Sequence, residues 1–230
     1  MFTKTTPPPK RRADEEPEIT ISGPGVDKFS LVDATLLKRR MIHLIDPITD
    51  VTFEQFKNAF DELLEVNPAE PVHIVVGTVG GDVRSMLGIM NLILLSKTPC
   101  YTYLLGETCS AGSWIYLCGH KRFAANTTLI SFMLHPMEST KSDNFGNQIS
   151  HVKYLDKLTN NLVEFTAKQT GMSKETLIKL FTSETYYFVG QEIFDNNIAT
   201  DKLSSSSFWV TEPKNNSKPI KKTTKHKATV

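Results

Sequence analysis

Between Pro71 and Gly77 the chain reads Val-His-Ile-Val-Val. A short β-branched run closed by a proline on one side and a glycine on the other reads as a buried strand. Gly80-Gly81 breaks the chain at once. Helical spacing then resumes over Val83 to Ser96, through Met86, Leu87, Met90 and Leu94. A buried strand, a tight break and an amphipathic helix in so little chain point to an α/β fold.

The alternation extends both ways. Met41 to Ile45 reads as a strand, and Phe53 to Val66 places Phe56, Phe60, Leu63 and Leu64 at helical spacing. Downstream, Cys100 to Leu105 reads as a strand, Ser110 to Cys118 as a helix and Leu129 to Leu134 as a strand. Gln148 to Thr170 reads as a long helix with Val152, Leu155, Leu158, Leu162 and Phe165 along one stripe. Ser173 to Phe181 reads as another helix, with Ser173 and Glu175 at its start. Repeated units of this kind imply α/β architecture with right-handed crossovers, and no internal repeat is visible.

Composition narrows the function classes. The chain has 230 residues, 40% of them hydrophobic, enough for one sizeable core. With 26 basic and 25 acidic residues the net charge is +1, so no global field draws nucleic acid, and none is expected as a partner. Cys100, Cys109 and Cys118 fit neither a disulfide framework nor a zinc pattern and are expected as buried thiols. No apolar run has the length of a membrane span. MFTKTTPPPKRRADEEPE has no apolar stretch after its charges, unlike a secretory signal, so a cytoplasmic location, or a compartment of like character, is expected.

Residues 1–28, rich in proline and charge, read as a flexible arm or propeptide, with a short strand at Ile19 to Ile21. Residues 204–230 carry Lys214, Lys218, Lys221, Lys222, Lys225 and Lys227 with no acid after Glu212, and read as a solvated basic tail.

Three segments carry chemistry. In GETCSAGSW, Gly106 to Trp114, a strand gives way to a helix near Ser110. A serine there meets the positive end of the helix dipole, beside the small residues Ala111 and Gly112. The Ala111 N–H, unused by the helix, is free to donate to an oxyanion. Taken alone, the segment reads first as an N-cap serine. In FMLHPME, Phe132 to Glu138, His135 ends an apolar strand, where a neutral imidazole can accept a serine proton. Taken alone, it reads first as a structural histidine. In GTVGGDV, Gly77 to Val83, the glycines let the backbone turn and present N–H groups, as a second oxyanion donor or as an ordinary tight turn. A phosphate loop is set aside because the Lys-Ser/Thr pair is missing.

Together these segments resemble the proteolytic subunit of the Clp protease (the ClpP family), in that family's order. LLKRRMIHL resembles the stretch after the family's N-terminal arm, and VVGTVGGDV shares the glycines of its Asn-Ser-Pro-Gly-Gly segment. GETCSAGS is similar to its Gly-x-Ala-Ala-Ser-Met-Gly nucleophile motif. KRFAANTTLISFMLHP is similar to the segment that ends in Met-x-His-Gln-Pro. GNQISHVKYLDKLTNNLVEFTAKQTGMS resembles the handle helix, and IFDNNIATDKL the closing Gly-Leu-Val-Asp segment. The resemblance spans about residues 30 to 203.

The resemblance implies a ClpP/crotonase-like spiral of ββα units with a protruding handle helix, and a peptidase domain over 29–203. It implies Ser110 as nucleophile, His135 as base, and Gly81 and Ala111 as oxyanion donors, with no metal or organic cofactor. It implies unfolded polypeptide or peptide substrates, a homo-oligomer of stacked heptameric rings, and an AAA+ unfoldase as partner. Departures stand beside it: Gly77, Thr78 and Val79 replace Asn-Ser-Pro, Ala111 replaces the methionine, and Pro136 follows the histidine directly. The aspartate of the triad is missing from TSETYYFVGQEI. Glu184 is the best match, and Thr185 the alternative if the one-residue excess is placed earlier. Glu138 and Asp143 are weaker. Three rivals remain: a catalytically weak or inactive ring subunit, a virus-like maturation peptidase of the same fold, and a hydratase that stabilises an enolate. The last fits poorly with a serine–histidine pair.

Overall fold

Val72, Ile74 and Val76 turn one way into the main core, while Val75 turns the other way into a second, smaller cluster with Met41 and Tyr103. A strand with apolar partners on both faces is what a parallel sheet requires. The computed structural model describes residues 36–138, 144–182 and 185–203. The expected arm over 1–28, the strand at Ile19 to Ile21 and the basic tail over 204–230 lie outside the described residues.

Five parallel strands form the larger sheet: β1 (Met41–Leu44), β2 (Val72–Val76), β3 (Cys100–Leu104), β5 (Lys121–Ala125) and β8 (Asp201–Leu203), in that spatial order. A smaller sheet runs β4 (Glu107–Cys109), β6 (Ser131–Leu134), β7 (Tyr186–Val189), with β4 parallel and β7 antiparallel to β6. The helices are α1 (Asp50–Val66), α2 (Val83–Leu95), α3 (Ala111–Leu117), α4 (Phe145–Thr170), α5 (Lys174–Thr182) and α6 (Glu192–Asp195).

The chain therefore winds in ββα units. β3-β4-α3 and β5-β6-α4 each place one strand in the large sheet and the next in the small one. In the two earlier turns of the spiral the second strand shrinks to a single residue, and Ile48 and Gly81 pair as an isolated parallel bridge. The α/β expectation, with its handle helix, holds.

Local chemistry explains the elements. Thr49 caps α1 by accepting from the Thr52 N–H at 3.2 Å, and Phe56, Ala59, Phe60 and Leu63 bury the helix face. The α4 helix starts at Phe145, earlier than its apolar spacing indicates. Asn144 caps it by accepting from the Asn147 N–H at 3.0 Å, and Gly171 ends it at φ 78°. Only the second half of the expected α4 stripe is core: Leu158 and Leu162 are buried, whereas Val152 is 64% exposed. All three cysteines are free and buried.

Two arginines tie the units together. Arg40 donates to the carbonyls of Leu63, Asn67, Glu70 and Pro71, closing the loop between α1 and β2. Arg122 donates to the carbonyls of Gln169, Asn197 and Ile198, and to Gln169 Oε1. It thereby fixes the end of α4 and the turn after α6 to β5. No described helix is long and apolar enough to cross a membrane.

Candidate active site

The parallel pairing of β4 with β6 sets Cys109 opposite Met133. Ser110 and His135 each follow directly on the end of one of these two strands. The Met133 carbonyl accepts from the Ser110 N–H at 3.0 Å and from Ser113 Oγ at 2.7 Å, so one carbonyl locks the Ser110 segment to the strand that leads to His135. His135 Nε2 then stands 2.7 Å from Ser110 Oγ.

Ser110 precedes α3 but makes no side-chain cap bond, and its backbone lies at φ 55°, ψ −121°. A serine at positive φ carries strain of about 1–3 kcal/mol, which the surroundings must maintain. Ser110 occupies the N-cap position through its backbone carbonyl, while its hydroxyl is directed to an imidazole and not to the helix.

The glycine segment lies against this elbow. Thr78 Oγ1 donates to the Asp46 carbonyl and accepts from the Gly80 N–H, while the Thr78 carbonyl accepts from the Cys109 N–H at 2.9 Å. Gly80, at φ 96°, lies so close that a Cβ there would meet Ser110 Cβ at 2.6 Å and the Ala111 nitrogen at 3.0 Å. Sequence reasoning singled out Gly81 and passed over Gly80, although the glycine pair was the available signal. Gly81 presses on the Ile48 backbone, where a side chain has no room. The bridge to Ile48 uses the Gly80 carbonyl and the Asp82 N–H, which leaves the Gly81 N–H on the other side of the chain. Neither the Gly81 nor the Ala111 N–H has a protein acceptor among the described residues, and both residues line the same cleft.

That cleft has a volume of about 260 Å³, with Ser110 and His135 on its wall beside Val79, Met86, Trp114 and Met137. A second, much smaller hollow is bordered by His135 together with Trp114, Leu162 and Phe181. At the start of α2, Asp82 accepts from Ser85 N–H and Oγ, bonds that hold its carboxyl below the usual range. A carboxylate already occupies this helix N-terminus, which agrees with setting a phosphate loop aside. Burial pushes the Cys109 thiol up to about 11, so the cysteine beside Ser110 stays protonated at neutral pH. Among the described residues no group of three or more His, Cys, Asp or Glu side chains is placed to hold a metal ion.

The expected acid of the triad is not among the described residues. Glu184 and Asp143 lie outside the described residues. Glu138 borders the cleft. In the β6–β7 register Leu134 pairs with Tyr186, and one step further along both strands stand His135 and Thr185.

Comparisons with known proteins bear on this geometry. The family model described as Clp protease matches residues 26–196. ATP-dependent Clp protease proteolytic subunit 1 of Chlamydia trachomatis (serovar D) is 24% identical over 151 residues, 65% of this chain and 79% of that one. Its namesake in Chlamydia abortus is 22% identical over 158 residues, 68% of this chain and 82% of that one. Translocation-enhancing protein TepA of Halalkalibacterium halodurans is 30% identical over 138 residues, 59% of this chain and 50% of that protein.

Proposed function

Because the chain belongs to the Clp protease family, we propose that it is a serine endopeptidase, with Ser110 as nucleophile and His135 as base, acting on unfolded polypeptides or peptides. The observation that carries this is the 2.7 Å contact between Ser110 Oγ and His135 Nε2 at the wall of an open cleft. His135 takes the hydroxyl proton as Oγ attacks a peptide carbonyl, then returns it to the leaving amine, and water releases the acyl group by the same route. The N–H groups of Gly81 and Ala111 receive the oxyanion, each contributing about 3 kcal/mol of transition-state stabilisation. Glu184 is proposed as the acid that orients the imidazole, and the peptidase domain as residues 29–203. Homo-oligomeric rings stacked through α4, a chamber enclosing the active sites, cytoplasmic location and feeding by an AAA+ unfoldase belong to the same reading. A peptidyl phosphonate tests it: Ser110 is labelled in the native chain, and labelling is lost in Ser110→Ala and His135→Ala. Intact rings that leave Ser110 unlabelled contradict it.

A second reading is favoured by the β6–β7 register. If Thr185 faces His135, no carboxylate holds the imidazolium, and the chain is a slow peptidase or a ring subunit without activity. The two readings separate cleanly. With Glu184 as the acid, Glu184→Ala lowers kcat by at least roughly a hundredfold and Thr185→Asp has no benefit. With Thr185 at the position, Glu184→Ala is neutral and Thr185→Asp raises kcat by roughly tenfold or more.

A further inference from the structure

Beside Ser110 and His135 the cleft is lined by the apolar side chains of Val79, Val83, Met86, Trp114 and Met137. One carboxylate stands among them. Glu138, three residues beyond His135, borders the same cleft, is exposed, and is the one acid on its lining, where no lysine or arginine stands. Among the described residues no cation is within ion-pair distance of it. Asp82 and Arg84, the charged pair at the start of α2 across the cleft, do not enter the lining: the Asp82 carboxylate is spent on Ser85. A carboxylate at the rim of an apolar trough acts at short range, because the trough wall excludes water from one side of any group lying against it.

We propose that Glu138 is a specificity-determining residue, and that the cleft takes peptides in which an apolar side chain at the scissile bond is flanked by a lysine or arginine. The apolar residue fills the trough. The flanking cation reaches the rim and pairs with the Glu138 carboxylate, while an acidic residue there is repelled. This rests on the peptidase reading for the identity of the cleft, but its test does not depend on turnover.

Labelled peptides with a central leucine carry Lys, Gln or Glu in turn at each flanking position. They are titrated into the full chain bearing Ser110→Ala, alone and combined with Glu138→Gln or Glu138→Lys, with fluorescence anisotropy as the readout. At one flanking position Lys binds roughly fivefold tighter than Glu, as an exposed ion pair allows. The ratio falls to about one in Glu138→Gln, inverts in Glu138→Lys, and shrinks with added salt, as expected for an exposed pair. A ratio unchanged by Glu138→Gln overturns the proposal, as does failure of every peptide to bind. Hydrolysis by the unmodified chain is measured separately. Charge-selective binding without hydrolysis overturns the peptidase reading and leaves the selectivity of Glu138 standing.

Discussion

Ser110, at φ 55°, packs against a neighbour that has no side chain. Gly80 lies where any Cβ would meet Ser110 Cβ and the Ala111 nitrogen, and its own φ of 96° already disfavours other residues. Both the proposed nucleophile and one proposed oxyanion donor therefore lie against this glycine. Gly80→Ala forces them apart by a fraction of an ångström to about an ångström, and displacement of that size costs roughly a hundredfold in rate. The expected result is a folded protein with kcat down by about that factor and little change in KM, read from peptide hydrolysis together with a thermal melt. Unchanged kcat would show that the elbow tolerates the contact.

At the scale of elements, the units differ in how plainly they are written. The strands β1, β2 and β3 and the helices α1 and α2 are legible because apolar runs and helical spacing report burial directly, and each buries most of one face. The shorter elements are not. β5 reads Lys-Arg-Phe-Ala-Ala, a string that suggests no strand until Arg122 is seen donating to the carbonyls of three residues brought from 47 to 76 positions away. β4 has three residues, and β7 is exposed at three of its four, so neither produces an alternation that periodicity can detect. The site shows the same division. Taken alone, Ser110 and His135 read first as structural residues and the family resemblance of their segments singles them out, whereas the close approach of Gly80 to Ser110 and the β6–β7 register that brings Thr185 one step beyond Tyr186 emerge only in the fold. Arg122→Ala removes the latch between β5 and the end of α4 and leaves buried carbonyls unpaired. The expected loss is about 3 kcal/mol, visible as a lower denaturant midpoint at unchanged slope. A loss under about 0.5 kcal/mol would mean that water replaces the guanidinium.

For the molecule as a whole, α4 has two halves with different duties. Its second half buries Leu158, Leu162 and Val163, and Leu162 borders a hollow with His135. Its first half presents Phe145, Ile149 and Val152, which are 78%, 41% and 64% exposed and spaced along one helical face. A helix face with three exposed apolar side chains on one copy is suited to burial against another, and the proposed stacking of rings through α4 would supply that burial. Ile149→Glu with Val152→Glu is expected to leave the fold intact and to reduce the sedimentation coefficient from that of a stacked double ring to a single ring or smaller species. An unchanged coefficient would place the ring contact elsewhere. The proposed activity rests on family membership and the serine–histidine contact, and its direct test is hydrolysis of a short fluorogenic peptide by the purified chain beside Ser110→Ala, with assembly recorded by sedimentation. The account predicts hydrolysis by the native chain that vanishes in Ser110→Ala while the assembled species persists. Equal rates in the two proteins, or no hydrolysis from well-formed rings, would contradict it.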